Sequence, residues 1–246
     1  MNPAMFPENH TWISFARFRV GSKIEIKKTW PVVLRMRPNP ETLAQILATR
    51  ATASDAVDSE VARLTIRAGM VFLQVPQVAF VYANSEECLV LLDEISVSTE
   101  LLANLYDRFI SLFSARLALL FNQDVLVCGA LYQLSDADAV RAVFTSSLEW
   151  LEQTAPARAA TRIAIQLESR KEALDRATLT TIEGQHDLLR RVGINLEELP
   201  NWWWRGIGGC RHQDGEIVIY DDLPEGEEFA NLVVAAKHQL ANLAAQ

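Results

Sequence analysis

The chain has 246 residues, half of them hydrophobic and 22% charged, with a formal net charge of −8. Those values describe a globular protein long enough for a full core, and they exclude a disordered chain. The three cysteines, Cys88, Cys128 and Cys210, are odd in number and far apart, which excludes a disulfide framework and a zinc ribbon and fits a reducing cytoplasm.

No apolar run approaches the roughly 20 residues of a membrane helix. The opening MNPAMFPENH has neither the basic nor the apolar region of a signal peptide. The sequence therefore predicts a cytoplasmic protein with no membrane partner. Its acidity counts against nucleic acid, but the charge is unevenly placed. Arg17, Arg19, Lys23, Lys27, Lys28, Arg35, Arg37 and Arg50 face only Glu25 and Glu41 in that stretch. A basic segment on an acidic protein serves either a phosphate ligand or a lysine-protected edge strand.

In chain order, Thr11–Arg19 and Lys23–Lys28 alternate as two strands around Gly21. Trp30–Met36 is a more apolar, central strand stopped by Pro38 and Pro40. Glu41–Arg50 is a helix with Leu43, Ile46 and Leu47 at helical spacing, Ala51–Ser59 a loop, and Glu60–Val75 a second helix ending near Pro76. Val78–Tyr82 and Cys88–Leu92 form a β-hairpin with Ser85, Glu86 and Glu87 at its bend. Thr99–Phe121 repeats leucine and phenylalanine at three and four, the pattern of a helix covering a sheet. Asp124–Leu134 is a strand, and Ser135-Asp136 caps a helix over Ala137–Gln153. After a break at Pro156, helical pattern runs through Arg158–Ala177, then Thr181–Arg191, a strand over Gly215–Tyr220 and a final helix over Glu227–Ala244. The sum is an α+β fold, its strands paired by hairpins and its helices segregated to one side.

The hairpin bend carries the first chemical signal. A carboxylate at a strand end, held on a rigid sheet, suits Mg²⁺, a hard cation that takes oxygen ligands. Glu86 is the candidate metal ligand and catalytic carboxylate. Glu87 adjoins it as a second candidate, although successive strand residues face opposite sides. The alternative is a solvated acidic turn. Cys88, inside the strand, reads as buried, and His186 as a surface or capping residue.

The second signal is Gly193–Gly209, GINLEELPNWWWRGIGG. Three consecutive tryptophans do not fit one face of any element, so they either clamp a loop onto the core or stack on bases. This segment resembles the closing motif of the tRNA-His guanylyltransferase-like family, G-I-N-F-N-D-L-P-x-W-x-x-R-G-I/V-G. Gly193, Ile194, Asn195, Leu199, Pro200, Trp202, Arg205, Gly206, Ile207 and Gly208 match it, with Glu198 for the Asp. Other landmarks follow in the family's order. Val33–Asn39 is similar to V-x-R-L-D-G-R, Ser85-Glu86-Glu87 to S-D-E, and Val127–Asp136 to F-D-A-R-V-F-x-L-P-D. Trp150–Ala155 resembles W-R-Q-x-D-A, and Glu183–Arg190 resembles A-E-K-N-E-L-L-F.

The resemblance implies a ferredoxin-like palm, an antiparallel sheet flanked by helices, with a helical C-terminal half. Residues 1–136 would be the palm-like core and 137–246 a helical region packed on it as one continuous unit. It further implies a homo-oligomer, dimer or tetramer, that adds a nucleotide (GTP) to a tRNA 5′ end in the 3′-to-5′ direction with Mg²⁺, using GTP or ATP as substrate. Carried over to this chain, Arg37, Ser85, Lys27 and Lys28 would meet the nucleotide, and Arg205, Gln185 and Asp187 the RNA.

The match fails where that chemistry lives. The family's two metal-binding Asp positions hold Arg37 and Glu86. Arginine is permanently charged and repels a cation, and glutamate is a methylene longer than a strict octahedral site expects. The family's His-x-x-Asn falls near Ala155–Ala160, where Arg158 is the polar residue, and its Lys-Asn-Glu becomes Gln185-His186-Asp187. Two readings stay open. The chain is an enzyme with a rebuilt site, or a pseudoenzyme that binds RNA, nucleotide or a protein partner, with Arg37 forking onto phosphate where the family binds metal.

Overall fold

The computed structural model describes residues 31–49, 59–92, 99–169, 171, 179–212 and 215–244. The strands expected over Thr11–Arg19 and Lys23–Lys28, with Lys27 and Lys28 themselves, lie outside the described residues, as does most of the expected loop over Ala51–Ser59.

β1 (Val32–Pro38) is followed by α1 (Pro40–Thr49) and α2 (Ser59–Met70), which runs into a 3₁₀ turn at Val71–Gln74. β2 (Val78–Ala83) and β3 (Cys88–Leu92) form the expected hairpin, α3 (Thr99–Phe121) crosses back, and β4 (Val127–Gln133) returns beside β1. All pairings are antiparallel, and the order β4-β1-β3-β2 is the ferredoxin-like βαββαβ arrangement. α4 (Ala137–Gln153), α5 (Ala155–Ser169), α6 (Ile182–Arg191) and α7 (Asn201–Arg205) follow, then β5 (Ile207–Arg211), β6 (Ile217–Tyr220) and α8 (Gly226–Ala244). β5 pairs with β2 and β6 with β5, so the C-terminal half extends the sheet to six strands.

Two-residue alternation divides the sheet's side chains between two cores. Val32, Leu34, Met36, Val81 and Val90 face α1, α2 and α3, where Leu43, Ile46, Phe109, Phe113 and Leu117 are buried. Val33, Phe80, Tyr82, Leu89 and Leu91 face α4 and α8, through Val140, Phe144, Leu148, Phe229 and Val233. Helices therefore cover both faces, which corrects the expectation that they segregate to one side. The cause is legible in β2 and β3, whose residues are buried without exception; such strands need a cover on each face. Each fully buried Phe or Leu contributes about 1.5–3 kcal/mol.

A third cluster sits at one end of the sheet. α5 packs on α6 and α1, and its Ala155, Ala159, Ala160 and Ile163 meet Leu188, Leu189, Leu196 and Trp203. Pro156 stands in the first turn of α5, where its missing N–H is not needed; the break itself falls at Thr154. From Arg158 to Leu167 every residue of α5 is buried, two arginines included. The Gly193–Gly209 stretch folds as a 3₁₀ turn, the short α7 and β5, so it is a structural closure that brings the palm sheet its fifth strand. No helix among the described residues is long and apolar enough to cross a membrane.

Candidate functional site

The bend between β2 and β3 is built by Asn84. Its side-chain oxygen accepts from the backbone N–H of Glu86 at 2.8 Å and of Glu87 at 2.9 Å, while its own N–H donates to the Glu87 carbonyl at 2.9 Å. This Asx-type turn fixes where each carboxylate leaves the chain. Gly206 packs against it at φ +78° and ψ −165°, a conformation essentially restricted to glycine. A Cβ there would lie 2.7 Å from the Ala83 carbonyl oxygen and 3.0 Å from the Asn84 Cβ.

The two glutamates diverge. Glu87 turns to the α4 face and is 1% exposed, with Arg35 Nε donating to its Oε2 at 2.6 Å and the Ser147 hydroxyl of α4 donating to its Oε1. Arg35, Leu89 and Glu87 share a face, because Arg35 lies across from Leu89 in the β1–β3 ladder. Glu86 turns instead to α5, where Arg162 Nη2 donates to its Oε1 at 3.1 Å. The Arg162 side chain is 0% and the Glu86 side chain 13% exposed.

Arg158, one helical turn before Arg162, completes the corner. Its Nη1 donates to the Ser85 hydroxyl at 3.1 Å and its Nη2 to the Leu151 carbonyl at 2.9 Å. Its guanidinium carbon lies 4.9 Å from the Trp203 ring centroid, a cation–π stack. Burial lowers its pKa to about 10, Glu86 opposes that shift and Arg162 adds to it, so it remains a cation at neutral pH. Burial pushes the Tyr82 phenol and the Cys88 thiol up, with Glu87 reinforcing both shifts. Cys88 is buried and unionised, as its strand position predicted.

The other candidates are more dispersed. Arg37 lies on the same face of β1 as Arg35, one step beyond the Met36–Cys88 pair and so level with Glu87. It is half-buried, and its guanidinium makes no hydrogen bond or ion pair with the described residues. Arg205 is held by Glu152 at 2.6 Å, by the Leu223 carbonyl at 3.1 Å and by Glu225, tying α7 to α4 and to the start of α8. Gln185 donates to the Leu179 carbonyl at 2.9 Å, and Asp187 pairs with Arg190 at 2.7 Å on the exposed side of α6. His186 is exposed on the same helix. The hairpin thus gathers Ser85, Glu86 and Glu87 with Arg37 nearby, and leaves Arg205, Gln185 and Asp187 elsewhere.

Sequence reasoning missed Arg162, Ser147 and Asn84. The signal for the arginines was present: in APARAATRIAIQ they stand four apart in a helix otherwise apolar on nearly every side. Buried guanidiniums at that spacing require acceptors from a neighbouring element.

The donor set does not fit Mg²⁺. Both hairpin carboxylates are engaged by guanidiniums, and three arginines place positive charge around the position a dication would take. Among the described residues no group of three His, Cys, Asp or Glu is arranged to hold a metal ion.

No protein-family model and no curated protein matches the chain. Solved structures do. A bacterial tRNA(His) guanylyltransferase-like protein in complex with ATP superposes with a TM-score of 0.62 at 17% identity, covering 87% of this chain and 93% of that one. A bacterial protein of the same description in complex with GTP gives 0.57 at 15%, covering 88% and 93%. The tRNA(His) guanylyltransferase of Saccharomyces cerevisiae gives 0.55 at 13%, covering 84% and 94%. At these identities the likeness establishes the fold, which is the palm-like α+β fold of tRNA-His guanylyltransferases.

Proposed function

We propose that the chain is a diverged tRNA-His guanylyltransferase-like protein that binds a nucleoside triphosphate, or the phosphorylated 5′ end of an RNA, without catalysing nucleotidyl transfer. One observation carries the reading: Glu86 and Glu87, which the resemblance sets against the family's hairpin carboxylate, are each bonded to an arginine. The two-metal mechanism of in-line phosphoryl transfer needs carboxylates free to ligate the ions. Removing even one preorganised electrostatic group of that kind typically costs about 10²–10³ in rate, and here the ligand at Arg37 is replaced by a cation.

Phosphate binding is supported by Arg37, a half-buried guanidinium beside the hairpin that lacks a protein partner among the described residues. It matches phosphate oxygens with a fork of N–H donors and supplies charge where the family resemblance implies a metal. The ATP- and GTP-bound structures that share the fold make a triphosphate the first ligand to test. Assembly as a dimer or tetramer, a cytoplasmic location and contacts to Lys27 and Lys28 complete the proposal. Equilibrium binding of GTP and ATP with and without Mg²⁺ tests it, together with 5′-extension assays on monophosphorylated and triphosphorylated tRNA. Metal-independent binding without extension supports the reading.

A further inference from the structure

The corner between the hairpin bend and α5 is electrostatically unbalanced. Arg35 pairs with Glu87 and Arg162 with Glu86, but Arg158 meets a hydroxyl, a carbonyl and an indole face. Three guanidinium nitrogens of this corner are buried and have no hydrogen-bond partner among the described residues: Nε of Arg158, and Nε and Nη1 of Arg162. A buried cation without a counter-ion is costly, and so is each buried donor left unpaired. Arg158 and Arg162 lie one turn apart on one helix face, close enough for the Arg162 charge to act on Arg158.

Glu86 is the member of this corner that reaches the surface. It neutralises Arg162 through one bond from Nη2 to its Oε1, leaving the other Arg162 donors unused. Its backbone is fixed by Asn84, and its side chain is 13% exposed while that of Arg162 is fully buried.

We propose that Ser85, Arg158 and Arg162 form a built-in anion site that Glu86 occupies as an internal carboxylate, and that a phosphate group takes its place. A terminal phosphate brings three acceptor oxygens and up to two negative charges. It therefore satisfies donors that one carboxylate oxygen leaves unused and neutralises Arg158 as well as Arg162. Displaced Glu86 is solvated, so it lowers the affinity without blocking it. The site needs no metal, and in that respect the inference rests on the metal-free reading of the hairpin given above.

Calorimetric titration with inorganic tripolyphosphate, with metal chelated, tests the site. Glu86→Gln removes the competing charge and keeps the shape, so it binds about tenfold tighter than the wild type or better. The double variant Glu86→Gln/Arg162→Met removes both charges of the pair and loses that gain, with circular dichroism verifying that it folds. Adding ATP, a 5′-triphosphate RNA and the same RNA with a 5′-hydroxyl separates a nucleotide from an RNA end as the natural phosphate source. Equal or weaker binding by Glu86→Gln, a gain that persists in the double variant, or no binding by any variant overturns the inference. Mg²⁺-dependent extension of tRNA would instead contradict the metal-free reading, so the two failures are distinct.

Discussion

Arg35 Nε and Glu87 Oε2 stand 2.6 Å apart across the central strand pair β1–β3, with the Glu87 side chain 1% and the Arg35 side chain 12% exposed. The Ser147 hydroxyl donates to the other carboxylate oxygen. A carboxylate at the mouth of a palm is thereby a structural tie between sheet and helix.

Breaking that tie is expensive. Removing one partner of a buried ion pair leaves an uncompensated charge and typically costs about 3–5 kcal/mol. Glu87→Ala is expected to lower the unfolding free energy by about that amount in urea denaturation. Adding Arg35→Met to it recovers part of the loss. Glu86→Ala leaves the fully buried Arg162 without its carboxylate and is expected to cost about as much.

Arg158 behaves in the opposite sense. Its folded pKa, about 10, lies below the ordinary value of an arginine, so the unfolded chain holds the proton more tightly. Its charge therefore opposes folding at every pH below about 10, and the penalty fades as pH rises through that value. Arg158→Met, which keeps the length and discards the charge, is expected to leave the unfolding free energy within about 1 kcal/mol of the wild type. Chemical denaturation at pH 7 measures it.

Gly206 holds the bend in place. Alanine there meets both the unfavourable backbone conformation, about 1–3 kcal/mol, and the close Ala83 carbonyl and Tyr82 ring. Gly206→Ala is expected to cost about 3 kcal/mol or more in denaturant titration and to loosen the Asn84 turn, seen as faster amide exchange at Glu86 and Glu87.

Asp136 caps α4 by accepting from the Ala139 backbone N–H at 2.8 Å. Its pKa is lowered, first by the Ser135 hydroxyl and then by that N–H. A depressed carboxylate stabilises the fold above its unfolded value of about 3.9, and the benefit disappears as pH falls through the lower folded value. Asp136→Ala is expected to lower Tm at pH 7, and the gap to the wild type narrows below pH 4.

Much of the fold was legible in the sequence. The hairpin, α3 over Thr99–Phe121 and α4 over Ala137–Gln153 emerge from periodicity at nearly their observed bounds, because each combines a clear repeat with a polar or proline boundary. β5 was hidden, since IGGCR has glycines where a strand pattern needs side chains; those glycines admit Phe80, Leu223 and Leu73, which approach within 2.8 Å of where a Cβ would stand. The covering of both sheet faces was hidden in a different way, because a continuously apolar strand does not say which helices lie over it. At the hairpin the sequence showed the carboxylates, and the family resemblance set Arg37 where it implies a metal ligand. It did not show that α5 brings Arg158 and Arg162 to the bend, a meeting across more than 70 residues that no local pattern encodes.

The central claim is that the palm binds phosphate without metal and without nucleotidyl transfer. The most direct test titrates the purified protein with GTP and ATP in the presence and absence of Mg²⁺, then incubates it with labelled 5′-monophosphorylated and 5′-triphosphorylated tRNA. The account predicts binding that is independent of Mg²⁺, is weakened about tenfold or more by Arg37→Ala, and yields no extended tRNA. Extension of the tRNA 5′ end that requires Mg²⁺ and disappears in Glu86→Ala would contradict it.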